Sequence, residues 1–289
     1  PEDVMLMWAD DNYGYIRQLS NLREQERSGG AGIYYHTSYW GKPHDYLWLN
    51  STNPALLWEE MSKAYEFQSR DFWILNCGDI KPHEYNVELF LDMAWDMTKF
   101  EKNSDVKQHR KSWAAREFGE QTANDITDVM LKYDELAFQR RPEFMAWSQV
   151  QPVTKARETE LTQFHYGDEV SQRINAYQTL ITAVDSINTK VPDYRKDAFY
   201  QLVYYPVVAA ASINHKWLYA YKNKFTASQG RSSALHYGEK AFLAYNRIVS
   251  ETNYYNNVLQ GGKWNHMMNM SPRNLPVFSR PSIAVAYPN

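Results

Sequence analysis

The sequence predicts an α/β segment followed by an all-α segment. Up to about residue 103, short apolar runs alternate with stretches of helical spacing. From Asp105 onward the apolar residues recur only at helical intervals, with no strand pattern. The three apolar runs of the first segment also each end in a cluster of polar residues, as buried parallel strands do when they deliver side chains to a ligand-binding rim.

Residues 4–9 form the first strand candidate, ending in Trp8-Ala9-Asp10-Asp11-Asn12-Tyr13-Gly14. Gly29-Gly30-Ala31-Gly32 frees the backbone before Ile33-Tyr34-Tyr35, a β-branched and aromatic second strand. Asn53-Pro54 is a helix start, an Asx cap with proline at the first helical position. Leu57, Met61, Ala64 and Tyr65 continue it at helical spacing. Asp71-Phe72-Trp73-Ile74-Leu75 is the third strand. Lys81-Pro82 breaks the chain before a helix carrying Val87, Phe90, Leu91 and Ala94. Strands alternating with helices imply parallel pairing through crossovers.

In the second segment, Ile126, Val129, Met130, Tyr133 and Leu136 share one helical face. Val170, Ile174, Tyr177, Ile181 and Val184 form the seam of another helix. Phe199, Leu202, Val203, Val207 and Ala210 mark a long helix in which Pro206 predicts a kink. Ala241, Phe242, Tyr245 and Ile248 mark its successor. The expected division is 1–103 for the α/β part and 104–260 for a helical bundle. Residues 261–289 are expected to form an irregular tail that packs back on either.

Composition narrows the function classes. With a formal net charge of −3 over 289 residues, the chain has no electrostatic case for binding nucleic acid. No apolar run approaches the ~20 residues of a membrane span. The single cysteine, Cys77, excludes an internal disulfide. No secretory leader is visible at Pro1-Glu2-Asp3, which lacks a basic start. A strand so near the first residue is expected for a piece of a larger sheet. There is no phosphate loop and no Gly-x-Ser-x-Gly elbow, so no cofactor is expected. His36, His44 and His83 lie in different loops and give no metal-ligand spacing, so no metal is expected. The 22 tyrosines and 10 tryptophans combine an apolar face with a polar edge, which suits sugar rings as well as cores.

The polar strand ends supply the candidate site. They are Asp10, Asp11 and Asn12; then His36, Tyr39, Trp40 and Asp45; then Asn76, Cys77 and Asp79. On one rim of a parallel sheet they would converge, and amides, carboxylates and aromatics together suit a polyhydroxylated ligand. Glycosidic hydrolysis needs a carboxylic acid at the leaving oxygen and a carboxylate base, and Asp10, Asp11 and Asp79 are the acids available. Each also suits a turn, where Asx side chains cap backbone N–H groups. His36 is equally readable as a satisfied core histidine.

Three long motifs resemble glycoside hydrolase family 115, the xylan α-1,2-glucuronidases. They are Trp8-Ala9-Asp10-Asp11-Asn12-Tyr13-Gly14-Tyr15-Ile16-Arg17, Gly29-Gly30-Ala31-Gly32-Ile33-Tyr34-Tyr35-His36-Thr37-Ser38-Tyr39-Trp40-Gly41, and Pro43-His44-Asp45-Tyr46-Leu47-Trp48-Leu49. Asn76-Cys77-Gly78-Asp79-Ile80-Lys81-Pro82, Arg141-Pro142-Glu143, Asp197-Ala198-Phe199-Tyr200-Gln201 and Gly262-Lys263-Trp264-Asn265-His266 extend the match along nearly the whole chain. The resemblance implies that residues 1–103 are the C-terminal part of a (β/α)8 (TIM) barrel, followed by the family's helical bundle. It implies removal of (4-O-methyl-)glucuronic acid from glucuronoxylan, or from aldouronic acid oligosaccharides, with inversion. It also implies a homodimer, and a secreted or periplasmic location for the intact protein.

By the same resemblance, Asn12, Tyr39 and Asn76 fall on substrate-binding positions, with His36 and Asp79 beside them. The family's Gly-Met-Arg-Gly-Asp-Gly-Asp and Tyr-Lys-Glu-Val motifs, which carry its acid and base, are absent from this sequence. Asp10 and Asp11 are therefore expected to support the site, and this chain alone is expected to be inactive. A non-catalytic helical dimerisation module and a glycan-binding remnant are the alternative readings.

Overall fold

The structure is a computed structural model that describes residues 1–146, 156–157 and 159–285. Three strands, β1 (Leu6–Ala9), β2 (Ala31–His36) and β3 (Phe72–Asn76), form one sheet in the order β1-β2-β3. Both pairings are parallel, with Trp8 opposite Ile33, Ile33 opposite Trp73, and His36 opposite Asn76. All three carboxyl ends therefore lie on one rim. β1 starts two residues later than the apolar run suggests, since Val4 and Met5 are exposed and outside the ladder.

The β1–β2 connection holds no α-helix, only a single turn of 3-10 helix over Glu24–Glu26. The segment lacks an apolar stripe to bury. It is tied down by polar contacts instead, Trp8 Nε1 donating to Ser20 Oγ at 2.8 Å. The β2–β3 crossover carries α1 (Pro54–Glu66), capped by Asn53, whose side chain accepts from the Ala55 N–H. α2 (Glu84–Trp95) follows β3. The face of the sheet bearing Ile33 and Tyr35 joins Leu57, Met61, Leu89 and Phe90 in one buried core, with Tyr35 stacked on Phe90 at 6.5 Å.

The helices that follow are α3 (Asn103–Phe118), α4 (Glu120–Gln139), α5 (Glu169–Lys190), α6 (Lys196–Phe199), α7 (Tyr205–Ser228) and α8 (Ser233–Asn257). α7 is the central one. Residues Val207 to Ile213 are all buried, and a helix apolar all round must be enclosed by others. The kink expected at Pro206 takes another form. Tyr200–Tyr204 is π-helical, and Pro206 is the second residue of α7. Proline has no N–H and its ring crowds the carbonyl four residues back; a wider turn before it relieves both.

The sheet and the bundle share the same core. Trp48 Nε1 donates to Tyr205 Oη at 3.0 Å, and Tyr133 Oη donates to the Asn50 carbonyl at 2.7 Å. Buried Glu143 accepts the Leu49 N–H at 3.1 Å. Among the described residues, no helix is long and apolar enough to cross a membrane.

Candidate active-site rim

Each of the first two strands ends in a loop closed by an antiparallel bridge, Asp10 with Ile16 and Tyr39 with Tyr46. Glycine is required at position 14. Its φ is +96°, and a Cβ there would meet Tyr35 Oη at 3.0 Å and Leu56 Cδ2 at 3.1 Å. Tyr35 Oη donates to the Gly14 carbonyl at 2.9 Å, so the loop sits on the second strand. α1 holds its far end, since Glu60 Oε2 accepts the Ile16 N–H at 2.7 Å.

Within this frame the acidic residues take different tasks. The Asp10 carboxylate is buried; Oδ2 accepts the Gly14 N–H at 2.9 Å and Oδ1 lies 2.5 Å from His36 Nδ1. Asp11 Oδ1 accepts the N–H groups of Tyr13 and Tyr15, and Oδ2 pairs with Arg17 at 2.7 Å. Asp11 thus holds the turn. Asn12 has a left-handed backbone, φ +67°, a conformation asparagine tolerates better than most residues. Its carbonyl accepts from Tyr46 Oη at 2.6 Å, and its side-chain amide has no partner among the described residues.

His36 is enclosed by aromatic rings. Tyr34 lies 5.1 Å from it and Tyr39 lies 5.7 Å, edge-on at 89°. Tyr13 joins Tyr39 at 5.8 Å and Tyr46 at 5.6 Å. Burial pushes the Tyr13 and Tyr46 hydroxyls above the usual tyrosine range, so both serve as neutral donors. Asn76 Nδ2 donates to Tyr34 Oη at 2.5 Å, beside His36 in the register. Burial likewise raises the Cys77 thiol, with Asp79 adding to the effect, which disfavours the nucleophilic thiolate.

Asp10, Asn12, His36, Tyr39 and Asn76 are therefore grouped on one rim. Asp79 stands apart. Its exposed carboxylate lines a cavity of about 280 Å³ with Trp40, Leu47, Trp48, Lys81 and Met268. His44 turns away from the rim, its Nε2 bonded to the Glu143 carbonyl at 2.9 Å, and burial lowers its pKa. His83 is fully buried and pushed down to about 3 by burial. Among the described residues one group of three potential metal ligands exists, Glu88, Asp92 and His109 on α2 and α3. Glu88 is paired with Arg116 and Asp92 with His109, at 2.7 and 2.9 Å.

Sequence reasoning missed the clamps behind the rim. Arg141 lies 3.8 Å from the Tyr46 ring centroid, and its Nη1 donates to Ser51 Oγ at 2.8 Å. Arg273 pairs with the buried Asp45 at 2.8 Å across the tail. The Arg141-Pro142-Glu143 motif was the visible signal for the first; no local pattern marks the second.

His36 Nε2, the Asn12 amide and the Tyr39 hydroxyl keep free hydrogen-bonding capacity among the described residues, and aromatic rings flank His36 and Tyr39. Donors and acceptors set among aromatic faces at the carboxyl end of a parallel sheet are the equipment of a carbohydrate-active α/β protein. Residues 1–144 match the model of glycosyl hydrolase family 115. A solved structure, a family GH115 4-O-methyl-α-glucuronidase with specificity for decorated arabinogalactans, matches 99% of this chain at 42% identity and a TM-score of 0.87. The chain spans 37% of the length of that structure. No curated protein matches it. The chain belongs to glycoside hydrolase family 115.

Proposed function

We propose that this chain supplies part of the substrate rim of an α-glucuronidase. The enzyme removes (4-O-methyl-)glucuronic acid side chains, with inversion, from glucuronoxylan or from a glucuronate-decorated arabinogalactan. The observation that carries this reading is the buried Asp10–His36 pair with Tyr39 and Asn12 beside it. Asp10 fixes the imidazole, leaving Nε2 to meet a sugar hydroxyl or the uronate carboxylate. The Asn12 amide and Tyr39 hydroxyl bind further hydroxyls, and the rings of Tyr13 and Tyr39 exclude water.

In this reading the general acid and base come from outside the chain. Supporting it, the rim carboxylates are already engaged: Asp10 by His36 and Gly14, Asp11 by Arg17, and Asp45 by Arg273. Inversion needs two carboxyls about 6.5–9.5 Å apart, one protonated and one free to activate water. Asp79, in the neighbouring cavity, has no second carboxylate lining that cavity with it among the described residues. Residues 1–103 are then the C-terminal part of a (β/α)8 barrel, 104–260 its bundle and 261–289 the returning tail. The intact enzyme is secreted or periplasmic and homodimeric. Exposed Leu235, Leu243 and Val249 on α8 are consistent with a dimer contact through the bundle.

The test is incubation of the 289-residue chain with 4-O-methylglucuronoxylan and with aldouronic acids. The expected result is saturable binding of aldouronic acids without release of the uronate. Turnover by this chain alone would overturn the assignment of acid and base, and loss of all uronate binding would overturn the rim itself.

A further inference from the structure

The cavity beside Asp79 is separate from the His36 cluster but is built by the same two loops. Trp40 directly follows Tyr39, and Asp79 follows Asn76 by three positions. The far wall is the tail, with Met267, Met268, Asn269, Pro272 and Arg273. Its floor is apolar, from Leu47, the buried Trp48 and Met268. At its mouth stands Trp40, 71% exposed, an unusual state for so large an apolar ring. Trp40 makes no ring contact with its neighbours among the described residues, so its face is open to a ligand.

The electrostatics select the ligand. Both cations of the cavity are already neutralised: Lys81 by Glu84 at 2.8 Å, and Arg273 by Asp45 at 2.8 Å. Lys81 is also held over the Trp264 ring at 4.2 Å. Among the described residues, the carboxylate of Asp79 has no salt-bridge partner. A uronate would therefore be repelled, whereas a neutral sugar offers hydroxyls to Asp79 and to the Asn269 amide, and C–H faces to Trp40 and the methionines.

We propose that this cavity is a subsite for a neutral, main-chain sugar of the polysaccharide, with Trp40 as its stacking platform. The proposal rests on the reading that the neighbouring rim takes the acidic side chain. A polymer crossing from the rim to the tail would place its branch point at Tyr39 and its unbranched units on Trp40. The tail thereby becomes a specificity element, because it supplies one wall of the subsite.

Calorimetric titration of the 289-residue chain with neutral xylo-oligosaccharides and β-galacto-oligosaccharides, beside free glucuronic acid, tests this. One of the two neutral series should bind, and which one does identifies the main chain. Trp40→Ala should weaken that binding at least tenfold, Trp40→Phe should keep it within about threefold, and neither should change glucuronic acid binding. Wild-type affinity in Trp40→Ala, or no binding by either neutral series, would overturn the subsite. Failure of glucuronic acid alone to bind would instead remove the rim reading and leave the subsite standing.

Discussion

His36 Nδ1 and Asp10 Oδ1 lie 2.5 Å apart, buried where two parallel strands end side by side. The carboxylate does not face the open rim. It binds the imidazole with one oxygen and the Gly14 N–H with the other, which fixes the ring and the loop together. A buried carboxylate that orients a histidine selects its tautomer, because Nδ1 must carry the proton it donates.

Asp10→Asn should reverse that tautomer. The asparagine oxygen will keep the Gly14 N–H, so its amide N–H must face His36 Nδ1 and drive the proton to Nε2. Imidazole 15N NMR should show Nε2–H in the variant and Nδ1–H in the wild type at alkaline pH, with uronate affinity lowered. Asp10→Ala, by contrast, leaves buried donors unpaired at about 1–3 kcal/mol each and should lower the melting temperature. An unchanged tautomer in Asp10→Asn would contradict the orienting role.

Asn12 separates binding from strain. Its φ of +67° makes alanine there cost about 1–2 kcal/mol of stability, quite apart from any lost amide. Asn12→Gly removes the amide without that cost. Both variants should lose uronate affinity equally, while only Asn12→Ala melts measurably lower. Full affinity in Asn12→Gly would take this residue out of the site.

Lys216 predicts stability that rises with pH. It is wholly buried on α7, where Nζ donates to the Val277 and Ser279 carbonyls at 2.8 and 3.0 Å and has no carboxylate partner among the described residues. Burial pulls its pKa down to about 7, against about 10.4 in an unfolded chain. Between these values the unfolded chain binds the extra proton, so stability climbs by roughly 1.4 kcal/mol per pH unit at most. Below pH 7 both states are protonated and the penalty is constant. Urea titrations from pH 7 to 9 should show this rise, and Lys216→Met should flatten it; the same slope in both would refute the assignment.

His83 acts at the other end of the scale. It is fully buried, neither ring nitrogen has a hydrogen-bond partner among the described residues, and its pKa is near 3. The folded pKa lies below the unfolded value of about 6.5, so the neutral form's contribution is complete above pH 6.5 and disappears as pH falls toward 3. His83→Leu should cost little at pH 7 and shift the acid-unfolding midpoint to lower pH. A midpoint unchanged from wild type would assign acid unfolding to other groups, such as His44 and His215, whose pKa values are also lowered by burial.

The periodicities of this sequence mark the three strands, their parallel order and the helices α4, α5 and α8, because each is a local pattern set by burying one face; α7, buried all round, is marked by its apolar content, and α3 is marked by no such stripe. The proline at 54 and the Asx cap before it mark α1 for the same reason. Motif resemblance then pointed to the rim. Tertiary structure alone decided what the rim residues do. Asp10 and Asp11 are neighbours of one type, yet one orients a histidine 26 positions away and the other closes a turn on Arg17. Asp45 meets Arg273 across 228 positions, a contact no local pattern encodes. Strand register and the return of the tail bring these partners together, and those depend on how the whole core packs.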